Sequence, residues 1–193
     1  MGNFFAIFLA ACLVNNLILD AMLGLPPAIA VAKKIETAIG ITLAMLMALT
    51  SATLASYPFN HYVLLPLDLA GLETFSFIIV ITLAMKAAEL ALRRFKPALH
   101  EQLAVFFPLT LINSAALGVA LLNSQHQHGL LGSLFFGVGA ATGFGLVVIA
   151  MAAMQERLMA AAIPAPFRGI AIILITLGIM SMAFMGFNGI ANH

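Results

Sequence analysis

Charged residues are scarce in this sequence. Only 8% of its 193 residues are Asp, Glu, Lys or Arg, whereas soluble domains carry about 25%. Hydrophobic residues make up 63% of the chain, and the mean hydropathy is +1.13. A chain with so little charge cannot cover its surface with groups that water solvates. The composition therefore excludes an ordinary soluble domain and indicates a protein surrounded by a lipid bilayer.

Cysteine and tryptophan are rarer still. One cysteine, Cys12, lies within an apolar run, and tryptophan is absent. A single thiol excludes a disulfide framework, a Cys-x-x-Cys motif and an all-cysteine metal site within this chain. We interpret Cys12 as a small core residue. The net charge is +1, and no basic patch is present for nucleic acid to bind.

Six apolar runs are each long enough to cross a membrane as a helix, which takes about 20 residues. The segments between the runs are short, as in a compact helical bundle without a soluble domain. We predict an all-α integral membrane protein with one polytopic domain, residues 1–193. The six predicted spans are residues 3–24, 38–57, 70–92, 102–122, 130–154 and 169–189.

The basic residues concentrate in every second loop, so that they lie on one side of the predicted membrane. All but Lys86 fall in the loops that follow spans one, three and five, and none falls at either terminus or around His61 and His126. Because Lys and Arg accumulate in cytoplasmic loops, we predict that these loops are cytoplasmic and that both termini lie on the outer side of the membrane. The residues in those loops are Lys33, Lys34, Arg93, Arg94, Lys96, Arg157 and Arg168.

The six spans divide into two halves of three, residues 1–96 and 97–193. Because three is odd, the halves cross the membrane in opposite directions, which is typical of a 3+3 inverted repeat. Asn15 lies about twelve residues into span one, and Asn113 lies a similar distance into span four from the other side. At about 1.5 Å per residue, each lies roughly 18 Å deep, near the centre of a core about 30 Å thick.

Helix-breaking residues follow the amides in both of these spans. Gly24, Pro26 and Pro27 come after Asn15 and Asn16, and Ser114 and Gly118 come after Asn113. Proline lacks a backbone donor and clashes with the preceding turn. We therefore predict that helices one and four are interrupted and that the two stretches meet near the midplane. Their amides either orient a cofactor or an ion path, or form interhelical hydrogen bonds.

Three charged residues within the spans have alternative interpretations. Asp20 lies four residues after Asn16, so it either belongs to an ion path or is exposed by a bend in the helix. Lys86 and Glu89 are three residues apart and are predicted to pair at the cytoplasmic interface. Glu73, at the other end of the same span, is predicted to be interfacial.

Two further patterns favour structural roles. The pair His126 and His128 is a weak metal signal, because two histidines without further ligands are more typical of a solvated loop. Small residues spaced along span five are typical of close helix packing. Those residues are Gly137, Gly139, Gly143 and Gly145. No nucleophile–base pair, carboxylate dyad or nucleotide-binding motif is present, so this chain alone shows no catalytic centre.

Eight motifs resemble one known family over essentially the whole chain. They are Leu13-Val14-Asn15-Asn16, Leu23-Gly24-Leu25 with Pro27, Lys33-Lys34-x-Glu36-Thr37-Ala38, Phe107-Pro108-Leu109, Leu117 to Asn123, Gln155-Glu156-Arg157-Leu158, Pro164 to Gly169, and Ala183 to Phe187. The sequence resembles the A subunits of the Rnf complex, an ion-translocating ferredoxin:NAD oxidoreductase. It is more distantly similar to the E subunits of the sodium-pumping NADH:quinone reductase.

The resemblance implies a membrane subunit of a complex that couples electron transfer between ferredoxin and NAD to Na⁺ or H⁺ translocation. It implies six spans in an inverted repeat in the bacterial inner membrane, with both termini on the periplasmic side. The implied partners include a paralogous E subunit of opposite orientation and flavin-bearing membrane subunits. In this family, two cysteines from each paralogue hold a 2Fe–2S cluster between them. By this resemblance, Asn15, Asn16, Pro26, Asn113 and Ser114 line the interface that binds the cofactor.

The sequence departs from the family at both cysteine positions. Pro26 and Ser114 stand where the family has cysteine. Proline has no ligand atom in its side chain, and a serine alkoxide is a poor substitute for a thiolate on iron. The alternative function is therefore a non-redox ion-transporting or scaffold subunit on the same fold, with Asp20 and the asparagines as an ion site.

Overall fold

The structure is a computed structural model that describes residues 3–31, 34–67, 70–111, 113–126, 129–161 and 163–187. Within these ranges the chain is helical and forms no strand. Lys33 and His128, named in the sequence predictions, lie outside them. The α-helices are α1 (Asn3–Leu9), α2 (Leu25–Val31), α3 (Ile35–Phe59), α4 (Glu73–Phe95), α5 (Pro97–Leu103), α6 (Phe107–Leu111), α7 (Ser114–Gln125), α8 (Leu130–Met159) and α9 (Ile170–Met185).

Within the described ranges, four short helical segments of other types extend or precede these helices. Two are π-helical and continue α1 and α3, at Ala10–Val14 and Asn60–Leu64. Two are 3₁₀ turns, at Ala70–Leu72 and Ala165–Phe167. Single π-helical turns occur frequently at functional sites in proteins.

Three of the described helices are long and apolar enough to cross a membrane. They are Ile35–Leu64, Glu73–Phe95 and Leu130–Met159, and they correspond to the predicted spans two, three and five. Phe4–Val14 and Ile170–Met185 are shorter apolar helices within predicted spans one and six. The predicted spans one and four are not continuous helices, because each contains a break in helical structure.

The centre of the bundle is the contact of α8 with its two neighbours. On one face of α8, a Cβ added at Gly137 or Gly145 would clash with Thr53 or Thr42 of α3. On the opposite face, a Cβ at Gly139 would lie 2.6 Å from the carbonyl oxygen of Phe8. The glycines therefore let two segments approach α8 closely, which confirms their predicted role in packing.

Helix α4 presents most of its apolar side chains outward. Phe77, Ile81 and Met85, spaced four residues apart, are buried against the bundle, whereas Phe75 and Leu83 are exposed. A helix that leaves apolar residues exposed on most of its surface is stable where lipid or another apolar surface covers it. The predicted Lys86–Glu89 pair is also present on α4, with 2.8 Å between Nζ and Oε2.

Candidate functional site

The first interruption begins where the π-helical turn ends, and one amide side chain controls it. Asn16 is 1% exposed. Its Nδ2 donates to the carbonyl oxygen of Cys12 at 2.9 Å. Its Oδ1 accepts from the backbone N–H groups of Ile18 at 3.1 Å and Leu19 at 3.4 Å. The side chain thereby satisfies backbone groups that the end of a helix leaves without partners.

The chain then makes a tight loop before α2 begins. The N–H of Leu23 donates to the carbonyl oxygen of Leu17 at 2.7 Å. Met22 and Gly24 both have positive φ, 53° and 74°. This conformation suits glycine, but for methionine it carries a cost of about 1–3 kcal/mol. The surrounding contacts hold this loop in a conformation that its sequence would not adopt alone.

Pro26 occupies the first turn of α2, which begins at Leu25. The first N–H groups of a helix have no partner within the helix, so a residue without an N–H is tolerated there. Pro26 is exposed, whereas the following Pro27 is buried. The residue at this position therefore starts a helix and faces away from the chain's own core.

The second interruption is much shorter, and its amide begins a helix. Asn113 has an extended backbone, φ −128° and ψ 124°, and its Oδ1 accepts from the N–H of Ala115 at 2.9 Å. This is the usual geometry of an N-cap. Its Nδ2 donates to Sδ of Met45 on α3 at 3.2 Å. Asn113 therefore both caps α7 and links it to α3.

The two interruptions are in direct contact, as the sequence predicts. The N–H of Gly24 donates to Oγ of Ser114 at 3.2 Å. A Cβ added at Gly24 would lie 3.1 Å from Cβ of Ala115, and one at Gly118 would clash with the side chain of Leu23. A backbone donor left free by the first break is thus satisfied by a side chain of the second.

The predicted site residues divide into a buried and an exposed set. Asn16 and Asn113 are buried by the chain itself. Asn15, Asp20 and Ser114 are exposed, as is Pro26. Asp20 lies outside any helix, and its carboxylate makes no hydrogen bond or ion pair within the described part of the chain. The exposed set lies where a partner protein or lipid can reach it.

The residues at the interruptions do not fit an iron–sulfur cluster held by two thiolates of this chain. Pro26 offers no donor atom, and Oγ of Ser114 accepts the Gly24 hydrogen bond. The thiol of Cys12 is buried, in a segment whose backbone packs on Gly143. Among the described residues, no group of three or more His, Cys, Asp and Glu is placed to hold a metal.

Two contacts at the interruptions have no signal in the sequence. One is the Asn113–Met45 hydrogen bond, between residues 68 apart. The other is the hydrogen bond from Oγ of Ser181 on α9 to the carbonyl oxygen of Leu19, at 2.9 Å and 162 residues apart. Local spacing predicts neither of them, because each depends on how distant helices pack.

Comparisons with known proteins match nearly the whole chain. Residues 4–191 match the family described as "Rnf-Nqr subunit, membrane protein". The chain is 46% identical to a protein of Aeromonas hydrophila, 47% to one of Pseudoalteromonas atlantica and 48% to one of Photorhabdus laumondii. Each match spans 190 residues and 98% of both chains. All three relatives are named as the A subunit of an "Ion-translocating oxidoreductase complex".

Proposed function

This chain belongs to the Rnf-Nqr family of membrane subunits, and we propose that it is the A subunit of an Rnf-type complex. Such a complex couples electron transfer between ferredoxin and NAD to Na⁺ or H⁺ translocation. The observation that carries the proposal is the similarity to subunits of ion-translocating oxidoreductase complexes, which extends over 98% of both chains. The chain therefore works as a membrane subunit of an oxidoreductase complex and not as a free-standing enzyme.

The proposal includes six membrane spans in a 3+3 inverted repeat, in the bacterial inner membrane, with both termini on the periplasmic side. Two observations support it. The interruptions occur in the first segment of each proposed half, at Asn15–Gly24 and between α6 and α7. The Lys and Arg residues also concentrate at one set of loops, which is the pattern of cytoplasmic loops.

The proposed partners are the paralogous E subunit, in the opposite orientation, and the flavin-bearing membrane subunits. The exposure of Pro26 and Ser114 supports an interface at the interruptions. Polar groups are costly in lipid unless they find partners. The Ser114 hydroxyl accepts a hydrogen bond from Gly24 but is exposed, as is the amide of Asn15. A second protein packed against this face would supply partners for them.

A second candidate function follows from the absent thiolates. A 2Fe–2S cluster shared with the E subunit is the family's expectation, yet neither Pro26 nor Ser114 can supply a thiolate. The chain would then be a non-redox scaffold or an ion-conducting subunit, with Asp20 and Asn15 exposed beside the first break. The two candidates share fold and partners and differ in whether electrons pass through this interface.

Deletion of this chain tests the first candidate. In inverted membrane vesicles from the deletion strain, ferredoxin-dependent NAD reduction and the accompanying ion uptake should fall to background. Both should return when the chain is supplied in trans, while NADH oxidation by other membrane enzymes stays constant. Unchanged NAD reduction in the deletion strain would refute membership of the complex.

Iron and acid-labile sulfide distinguish the two candidates. The measurement uses the complex purified anaerobically with its membrane partners, together with iron-specific density at the interface of Pro26 and Ser114. Iron at that interface supports electron transfer through an unusual ligand set. An active complex without iron there supports the scaffold or ion-conducting function.

A further inference from the structure

A cavity of about 290 Å³, lined by both polar and apolar residues, lies at the end of the bundle where α3 and α7 both end. Its wall includes the π-helical turn that continues α3, at Asn60 and His61. Pro58, inside α3, cannot donate a backbone hydrogen bond, which explains why the regular helix changes at this point. The cavity is separate from the helix interruptions and none of its wall residues belongs to them.

The main polar group in the cavity wall is Asn123 of α7. It is 3% exposed, and its Oδ1 has no hydrogen-bond partner among the described residues. A buried carbonyl oxygen without a partner costs about 1–3 kcal/mol. Such an atom in a native fold is usually satisfied by a water or an ion. Asn123 therefore indicates that the cavity is occupied in the working protein.

A carboxylate is bonded to Ser124, the wall residue that follows this amide in sequence. Oγ of Ser124, which also lines the cavity, forms a short hydrogen bond with the carboxylate of Glu73 at the start of α4. Glu73 is half-buried, and no ion pair with a Lys or Arg is formed by it in the described part of the chain. Among the described residues, Glu73 thus brings a negative charge to the wall residue Ser124, and no basic side chain there neutralises it.

Neutral oxygen atoms complete the wall. Ser56 is 1% exposed, and its hydroxyl donates to the carbonyl oxygen of Thr53 at 3.3 Å, which leaves its lone pairs available. The side chains of Tyr57 and Asn60 line the same space. Hard cations bind carboxylate, amide, hydroxyl and carbonyl oxygens. The wall therefore offers several of the oxygen atoms that such a cation needs, beside the apolar residues Leu65, Phe77 and Ala120.

The charge pattern of the sequence favours a cation of low charge. No Lys or Arg occurs between Lys34 and Lys86 or between Lys96 and Arg157, the two stretches that build the cavity. Among the residues that the structure describes, the titratable groups nearby are Glu73 on α4, Tyr57 and His61 on the cavity wall, and His126 just after α7. One carboxylate balances one positive charge, whereas a divalent site usually gathers several carboxylates.

We propose that this cavity binds a monovalent cation, held by Oδ1 of Asn123 and neighbouring hydroxyls and neutralised by Glu73. At about 30 Å³ per water molecule, the cavity has room for a cation that keeps part of its hydration shell. This inference deepens the proposed function, because it names where a translocated cation contacts the protein. Only the role of the bound cation rests on the proposed function, because cation binding itself can be measured in the chain alone.

The test is binding of ²²Na⁺ to the full-length chain in lipid nanodiscs, at constant ionic strength maintained with choline. The wild-type chain should bind ²²Na⁺ saturably, with displacement by unlabelled Na⁺ and not by choline. Glu73→Gln should weaken binding at least about tenfold, in line with the effect of losing a charged group beside a metal site. Asn123→Leu should weaken it similarly, and Asn123→Asp, which keeps an oxygen, should retain binding.

The matched control is Glu89→Gln, the same substitution on the same helix at its other end. Glu89 pairs with Lys86, so this variant should bind ²²Na⁺ like the wild type. Three results would overturn the proposal: no saturable binding by the wild type, equal binding by Glu73→Gln, or tighter binding of Mg²⁺ than of Na⁺. The first would mean that the cavity holds water only.

Failure of the cation site and failure of the proposed function have different signatures. If the chain does not bind ²²Na⁺ but the complex still reduces NAD, the cation site is refuted and the chain's membership of the complex stands. If the chain binds ²²Na⁺ but its deletion leaves NAD reduction unchanged, its membership of the complex is refuted and the cation site stands.

Discussion

Each of the two helix interruptions contains a buried asparagine, but the two asparagines make different kinds of contact. At the first, Asn16 follows a helix and satisfies backbone groups of its own segment, from Cys12 to Leu19. At the second, Asn113 precedes a helix, caps it and reaches Met45 of another helix. The first amide is therefore locally self-contained, whereas the second joins two elements of the bundle.

This difference shows what an amide contributes when a helix breaks in an apolar environment. A long loop such as Asn15–Gly24 exposes several backbone groups at once, so one side chain with both donor and acceptor atoms is efficient there. A break between adjacent helices exposes fewer groups. The oxygen of the amide is then enough for the cap, and the nitrogen can bond a distant residue. The first interruption should accordingly be the more sensitive to substitution.

Asn16→Ala should have the largest effect. It leaves the Cys12 carbonyl and the N–H groups of Ile18 and Leu19 buried without partners, at about 1–3 kcal/mol for each unsatisfied group. We expect a loss of at least about 3 kcal/mol in the free energy of unfolding, measured by denaturant titration of the purified chain in detergent. The control Asn15→Ala changes an exposed side chain and should cost less than about 0.5 kcal/mol. Equal losses from both variants would contradict this role of Asn16.

Gly143→Ala should have the next largest effect, because α8 supports the first interruption through a close backbone contact. A Cβ at this position would clash with the carbonyl oxygen of Cys12 and lie 2.9 Å from Nδ2 of Asn16. Backbone cannot move aside easily, so we expect a loss of about 2 kcal/mol in unfolding free energy, measured by the same denaturant titration.

Two other glycines serve as controls for that substitution. Gly178→Ala on α9 meets nothing within 4 Å and should leave stability equal or slightly higher, because alanine favours helix. Gly118→Ala, at the second interruption, meets only the end of the Leu23 side chain, which can move. Its loss should fall between the other two, and a loss larger than that of Gly143→Ala would reverse the comparison.

Asn113→Ala should have the smallest effect of the three. It removes an N-cap, which costs about 1 kcal/mol, together with the weak hydrogen bond to Met45. Asn113→Ser keeps an oxygen for the cap and loses only the contact with the thioether, so its loss should stay below about 0.5 kcal/mol. Thermal unfolding of the three proteins in one detergent would separate the cap from the long-range contact. Equal losses from Ala and Ser would show that the cap is unimportant.

The sequence predicts those parts of the fold that depend on local chemistry. Long apolar runs predict α3, α4 and α8 within a few residues, because burial and helix length are both local properties of a run. Asparagine followed by proline, serine or glycine predicts both interruptions. The ion pair Lys86–Glu89 follows from a spacing of three residues.

Other features depend on packing between distant segments and have no local signal. The course of the chain from Asn15 to Gly24, with positive φ at Met22, is fixed by contacts with α7, α8 and α9. The cavity beside Asn123 forms only when the ends of α3 and α7 meet. For these features, the sequence shows that polar residues are present but not which atoms remain without partners.

The hydrogen bond between Gly24 and Ser114 also has a consequence for the order of assembly. Its two residues are 90 positions apart, so at a synthesis rate of about 5–20 residues per second, roughly 5–18 s separate their appearance at the ribosome. During that interval the first break has neither Ser114 nor the later Gly143 against it. The first break therefore lacks these stabilising contacts until the second half of the chain has been synthesised.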